Sequence, residues 1–497
     1  MKNFSNPFLT LRTSLYLRKL RKLRKLRKLR KLIKMMCEEF NCTFYSPEQI
    51  PNGLDSIIGM DNEKELLKDA LTFFEDLKDP ENVRPISPTS RFLLYGEPGS
   101  GKSKLVAGLA KTAGVPLFTV PGQLFGALGN QEALKRVLDI IFLIANTFSS
   151  GIVLNFDDLD ISCKDANSEQ VAISEQVAIH IARRLKQNTR AVVFISSSSP
   201  FVEYSKVLFG DNLFSINKEI VIMPPTFEVR EKLFESYIKN FKLNVDDSVS
   251  PNRLAKQTYG LFPKDLEYLV RETALYVQRH GRTLITYRDF DETLLSMEAG
   301  QLYSKMTDKE RISTAFHEVG HALAGYYSNP DYILGRIEIT PRATSLGLTK
   351  EEIGEEKQNL LYCECKSRIV YALGGMAAEK VIFKETSTGV SSDLASANSI
   401  ANAMIYKLGM SKSLGPVIYD PEFGVCSEYF SELFEKEMQT LLNEMYELAQ
   451  EILTDHIEVL KKLAEAVLEK EVLMGEEIRD IILKVEPAAE SYRKNYI

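Results

Sequence analysis

Short apolar runs alternate with amphipathic stretches over the first half of the chain. Arg91–Tyr95, Pro116–Val120, Gly151–Phe156 and Ala191–Ser196 are apolar and β-branched enough to predict buried strands. Asn62–Leu77, Ser103–Thr112 and Gln131–Thr147 carry apolar residues at three- and four-residue steps and predict helices. Strands alternating with helices predict a parallel sheet covered on both faces. Thr226–Ser296 reads as mainly helical. Helical spacing dominates again from Leu302, broken by a β pattern at Gly335–Thr340, and ends in long amphipathic stretches over Ser431–Lys470. The longest apolar stretches, near Val137–Phe148 and Gly151–Phe156, are too short to cross a bilayer, so no transmembrane helix is expected.

Composition narrows the class. Of 497 residues, 44% are hydrophobic and 26% charged, the balance of a soluble globular protein with room for two to four domains. Collagen, a disordered tail and a small disulfide scaffold are excluded. The net charge of -6 conceals an asymmetry: residues 1–36 hold seven Lys, six Arg and no acid, so a +13 tail is joined to a body carrying -19. Leu-Arg-Lys recurs from Leu17 to Leu32, and a period of three winds leucines around a helix instead of stacking them on one face. Such a tail suits an anionic lipid surface, nucleic acid or organelle import, or is simply a solvated repeat. A second repeat, SEQVAI twice over Ser168–Ile179, is expected to lengthen a surface helix. Six cysteines (37, 42, 163, 363, 365 and 426) show no CxxC spacing and read as free thiols.

Two motifs carry chemistry. Gly96-Glu97-Pro98-Gly99-Ser100-Gly101-Lys102-Ser103 matches GxxxxGK[ST] between a predicted strand and a predicted helix. The glycines let backbone N–H groups wrap phosphate oxygens; Lys102 is expected on the β/γ-phosphates and Ser103 on Mg²⁺. The strand Gly151–Phe156 delivers Asp157 as the magnesium carboxylate, with Asp158 where such ATPases usually have Glu to orient the attacking water. The shorter Asp sets its carboxylate back by about 1.5 Å, enough to slow hydrolysis.

His317-Glu318-Val319-Gly320-His321 is the second motif. On a helix, residues i and i+4 share a face, so both imidazoles can hold one Zn²⁺, with Glu318 as general base. Thr307 through Glu310 fits a capping box at the start of that helix, whose apolar spacing runs to Ala324. A third protein ligand is required. Position 327, which a metzincin fills with His, is Tyr327; Glu338, Glu351, Glu352 and Asp393 are the acidic candidates.

A P-loop ATPase, a helical segment and then HExxH resemble the FtsH-type AAA+ zinc metalloproteases, from about Tyr45 to Ile482. Ile339-Thr-Pro-Arg342, Leu346-Gly-Leu-Thr349, Gly374-Gly375-Met-Ala-Ala-Glu379, Ser387-Thr-Gly389 through Asp393, and Leu453-Thr-Asp455 strengthen the likeness. It implies an α/β P-loop AAA+ domain with a small helical lid, followed by a mainly α-helical zinc metallopeptidase domain. The boundaries expected are a basic tail over 1–44, the ATPase over 45–225, the lid over 226–300, the peptidase over 301–485 and a tail over 486–497. The resemblance assigns Asp393 as third zinc ligand and has Glu379 orient a histidine. The cofactors implied are one Zn²⁺ per subunit and ATP with Mg²⁺. The activity implied is an ATP-dependent zinc endopeptidase acting on unfolded or membrane-associated polypeptides, in a homo- or hetero-hexamer. No specific nucleic acid is expected.

The departures lie in the ATPase half. Val207–Ser215 lacks the two arginines that act across subunits, the strand Ile195–Ser199 offers only Ser198 for its usual Asn, and Leu124–Asn130 keeps only Phe125 of the aromatic–Gly pore motif. The basic tail stands in place of the membrane anchor. These losses leave two alternatives: a zinc peptidase that binds ATP but hydrolyses it poorly, or a non-catalytic scaffold or chaperone in a mixed ring. The acid-free N-terminus predicts a mitochondrion or related organelle, peripheral to a membrane, with the cytoplasm as alternative.

Overall fold

The computed structural model describes residues 28–79, 90–124, 131–158, 190–197, 218–299, 306–342, 345–352, 354, 357, 359–411, 413–418 and 428–493. The first part of the Leu-Arg-Lys repeat, the SEQVAI repeat, Phe125 and the pore stretch after it, Ser198 and Val207–Ser215 lie outside these residues. So do Cys163 and Cys426. The chain divides into two compact units, Met1–Tyr237 with Gly260–Tyr268, and Ile238–Tyr259 with Leu269–Ile497.

In the first unit, the end of the basic repeat is structured. Residues 28–40 form helix α1. The triplet ends at Ile33, and Leu29, Leu32, Ile33, Met36 and Phe40 then recur at helical steps, which places them on one face. That face packs against the sheet, with Met36 fully buried. Strand β1 (Thr43–Tyr45) follows, then helices α2 (Asp61–Leu66) and α3 (Lys68–Lys78). The single helix expected over Asn62–Leu77 is thus interrupted at Leu67, whose N–H is shared between Glu63 O and Lys64 O in a tightened turn.

Next come β2 (Arg91–Tyr95), α4 (Lys102–Ala113), β3 (Leu117–Pro121), α5 (Gln131–Ala145), β4 (Ile152–Asp157), β5 (Ala191–Ser197) and β6 (Lys218–Val221). The strand order is β1-β3-β4-β5-β2-β6, with β1 antiparallel to β3 and every other pairing parallel. β4 and β5 are buried almost throughout, as strands covered on both faces must be. Helices α6 (Phe227–Asn240), α7 (Pro251–Gln257), α8 (Pro263–Arg279) and α9 (Tyr287–Ala299) follow, the mainly helical stretch the sequence predicts; α6 belongs mostly to the first unit, α7 and α9 belong to the second, and α8 is divided between them.

The second unit is built on α10 (Asp308–Ser328), β7 (Ile333–Glu338), β8 (Leu348–Glu352), α11 (Tyr362–Phe383), α12 (Ser391–Asn402), α13 (Glu428–Asp455), α14 (Ile457–Lys470), β9 (Val472–Met474) and α15 (Gly475–Val485). Its small antiparallel sheet runs β8-β7-β9. Ala322, Leu323, Leu373, Ala377, Leu453 and Leu463 are among the core residues through which α10, α11, α13 and α14 pack. A buried ionic cluster joins α9 to β7: Arg336 meets Asp291 and lies 2.7 Å from Glu338, and Arg342 lies 2.9 Å from Glu292 and 3.0 Å from Glu338. Charges this deep are tolerated because each has a partner.

Candidate metal centre and nucleotide site

Helix α10 begins with the expected capping box. The Glu310 N–H donates to Thr307 Oγ1, and the Thr307 N–H donates to Glu310 Oε2 at 2.8 Å. The helix then carries His317 and His321 on one face, turned toward α11. The two helices touch at glycines: a Cβ on Gly320 would stand 2.5 Å from the Gly374 carbonyl oxygen. This closeness lets α11 supply a partner to each imidazole. His317 Nδ1 is 2.8 Å from Glu379 Oε1, and His321 Nδ1 is 2.7 Å from the Tyr371 carbonyl oxygen. Both partners are acceptors, so each ring carries its proton on Nδ1 and turns the Nε2 lone pair the other way.

Those lone pairs meet each other and a carboxylate. The two Nε2 atoms are 3.1 Å apart, and Asp393 Oδ2 lies 3.0 Å from His317 Nε2 and 3.3 Å from His321 Nε2. Asp393 comes from the first turn of α12, and its Oδ2 is buried without a donor of its own. Three acceptors this close repel unless a cation lies among them. Tetrahedral zinc with bonds of about 2.0–2.1 Å sets its ligands about 3.3 Å apart, so the donor set fits the ion in chemistry and spacing. Gly375 completes the cradle, for a Cβ there would be 2.6 Å from either Nε2.

Where no ion lies among them, the same acceptors favour a proton: burial opposes a charged His317, yet Asp393, Glu379 and the Glu318 charge push it up to about 10. Burial alone would raise Asp393, but the two imidazoles hold its carboxyl well below the usual carboxylate range. Burial likewise raises Glu318, which is 7% exposed. Glu379 is steadied by the Ser387 N–H at 2.5 Å and hydroxyl at 2.9 Å.

The other acidic candidates lie elsewhere. Glu338 belongs to the Arg336–Arg342 cluster, and Glu351 and Glu352, on β8, are not in the group with metal-ligand spacing. Tyr327 stacks on His456 with centroids 3.6 Å apart and donates to Glu486 at 2.6 Å. Among the described residues, His317, His321 and Asp393 are the one group with metal-ligand geometry.

In the first unit, the loop Gly96–Ser103 joins β2 to α4. Gly99 and Gly101 adopt φ of +90° and +105°, which glycine takes without strain. Lys102 is buried with Nζ on Gly96 O at 2.5 Å and Glu97 O at 3.3 Å, and 3.6 Å from Asp158 Oδ1. Ser103 Oγ is 3.2 Å from both Asp157 oxygens. A glycine loop, an ammonium, a hydroxyl and a carboxylate so placed fit a magnesium nucleotide. The parallel register of β4 and β5 adds Ser196, whose hydroxyl donates to Asp157 Oδ1 at 2.9 Å and accepts from the Asp158 N–H at 3.0 Å.

The model for Peptidase family M41 matches residues 304–481, and that for the ATPase family associated with various cellular activities (AAA) matches 92–217. ATP-dependent zinc metalloprotease FtsH 3 of Symbiobacterium thermophilum is 30% identical over 457 residues, covering 87% of this chain and 71% of the relative. FtsH 1 of Petrotoga mobilis is 30% identical over 451 residues, covering 86% and 68%. FtsH of Neorickettsia risticii is 28% identical over 443 residues, covering 86% and 68%. This chain belongs to the FtsH family of ATP-dependent zinc metalloproteases.

As an FtsH-family enzyme, it is a metalloprotease with an AAA ATPase domain that uses Zn²⁺ and ATP with Mg²⁺. The expected fold, an α/β ATPase followed by a mainly helical peptidase, is the fold observed. No helix among the described residues is long and apolar enough to cross a membrane. Sequence reasoning passes over Ser196 and the Tyr371 carbonyl. Ser196 becomes visible once β4 and β5 are set in parallel register; a backbone carbonyl leaves no mark in a sequence.

Proposed function

We propose that His317, His321 and Asp393 hold one zinc ion per subunit and that Glu318 is the general base of peptide-bond hydrolysis. The supporting observation is the convergence of Nε2, Nε2 and Oδ2 within 3.3 Å, with each imidazole held at Nδ1 by an acceptor on α11. Zinc, when bound, supplies Lewis-acid polarisation. Glu318 takes a proton from the attacking water and returns it to the leaving nitrogen as the C–N bond breaks. Strand β8 pairs only with β7 among the described residues, and its other edge suits an extended polypeptide.

Lys102, Ser103, Asp157 and Asp158, with the loop Gly96–Gly101, serve ATP and magnesium in this reading. The ATPase segment 45–225 and lid 226–300 deliver unfolded or membrane-associated polypeptides to the peptidase segment 301–485, in a hexamer. The +13 of residues 1–36 favours contact with an anionic membrane surface in a mitochondrion or related organelle.

The test is degradation of an unstructured fluorescent protein by the zinc-loaded chain, with and without Mg-ATP. The expected result is ATP-stimulated cleavage, abolished in Glu318→Gln with zinc retained. Cleavage by Glu318→Gln at the parental rate would refute the assignment of the base.

A further inference from the structure

We infer that Thr349 is a positioning residue for the Glu318 carboxylate, an inference that rests on Glu318 being the base proposed for hydrolysis. Thr349 lies in β8, one residue beyond its start. Its Oγ1 is 2.8 Å from Glu318 Oε2 and 2.7 Å from the main-chain oxygen of the same glutamate. One hydroxyl proton serves both acceptors, so the carboxylate is tied back to its own helix instead of swinging about its last torsion. Glutamate's terminal torsion is otherwise broad, and a base must sit within a few tenths of an ångström of its proton's path.

The other carboxylate oxygen is left clear by a neighbour in the same segment. A Cβ on Gly347 would stand 2.7 Å from Glu318 Oε1 and 2.7 Å from Glu318 Cγ. The segment Gly347–Thr349 therefore holds Oε2 and leaves Oε1 uncrowded. Because Glu318 is buried, water cannot easily replace the Thr349 hydroxyl if it is removed.

Thr349 is itself fixed from behind. Its carbonyl oxygen accepts from the Tyr371 hydroxyl at 2.8 Å, while the Tyr371 carbonyl accepts from His321 Nδ1 at 2.7 Å. A single residue of α11 thus sets one imidazole through its backbone and the strand that carries Thr349 through its phenol. The motif Leu346-Gly-Leu-Thr349 thereby sets the geometry of the base.

The experiment uses the full zinc-loaded chain and a quenched fluorescent, unstructured peptide, with kcat and KM measured separately. Thr349→Val keeps the shape and removes the hydroxyl. Its kcat should fall by about 10- to 100-fold, the usual cost of losing a group that orients a metal-site residue, with KM and zinc content unchanged. Thr349→Ser should recover most of that loss. Tyr371→Phe, which keeps the ring and the carbonyl, should lower kcat in the same direction with zinc retained. Parental kcat in Thr349→Val alongside an inactive Glu318→Gln would overturn this inference alone. Activity in Glu318→Gln would instead overturn the assignment beneath it. Loss of zinc or early melting in Thr349→Val, unrelieved in Thr349→Ser, would make the residue structural and refute the positioning role.

Discussion

Gly320 and Gly374 approach so closely that a methyl group on either would stand within 2.6 Å of the other's carbonyl oxygen. One glycine lies inside the HExxH motif and the other opens the Gly-Gly pair of α11, so the helix crossing and the metal centre share residues. Gly374→Ala should force the helices apart and cost about 1–3 kcal/mol, as overpacking does. Because α11 brings the partners of both imidazoles, zinc affinity should fall with stability. Thermal melting and chelator competition on the same variant check both effects; an unchanged melting temperature would show that the crossing yields.

Glu379 binds no metal in this geometry, yet it fixes the face His317 presents. Burial would raise its carboxyl, but His317 and the Ser387 N–H and hydroxyl hold it below the usual range. Glu379→Gln keeps the size and removes the charge. Zinc affinity should drop by about 10- to 100-fold, read as the zinc concentration that restores half the peptidase activity.

Asp158 stands with φ of +48°, and its carboxylate is 3.6 Å from Lys102 Nζ. A carboxylate one methylene longer reaches farther toward an attacking water. Asp158→Glu should therefore raise ATP turnover by about 10- to 100-fold, measured as phosphate release at saturating Mg-ATP. A turnover that falls would mean that the shorter side chain is matched to this site.

Asp289, in the first turn of α9, gives a pH signature of its own. Burial would raise its carboxyl, but Arg282 and the Thr286 N–H and hydroxyl hold it below the usual range. The folded pKa then lies below the unfolded one, so the stabilisation is fully present above about pH 4 and is lost as pH falls through the folded value. Asp289→Asn should melt earlier than the parent by about 1 kcal/mol near neutral pH. Below about pH 4 the gap should close, and melting curves across that range check it.

What can be read from the sequence follows locality. The P-loop and HExxH are legible because phosphate wrapping and a two-histidine face each need residues a few positions apart, and the capping box at Thr307 is legible for the same reason. The helical face of α1 escapes a reading that takes residues 1–44 as one basic tail, because the triplet gives way after Leu32 to apolar residues at helical steps. Glu379, 62 residues from His317, and Thr349, 31 residues from Glu318, meet their partners only through a helix crossing and a strand edge. Family likeness supplies Glu379 and Asp393. Nothing in the spacing supplies the role of Thr349.

Tyr371, Gly374, Gly375 and Glu379 lie on one face of one helix, and each touches α10 or its histidines. Replacing a single letter disturbs one of these contacts. Adding or dropping a letter among them is another matter, because each residue turns a helix by about 100° and advances it by about 1.5 Å. An insertion between Tyr371 and Gly374 would leave the His321 partner in place and carry the glycines and Glu379 off the face together. The nine positions from Tyr371 to Glu379 behave as a reading frame, closed to any change of length.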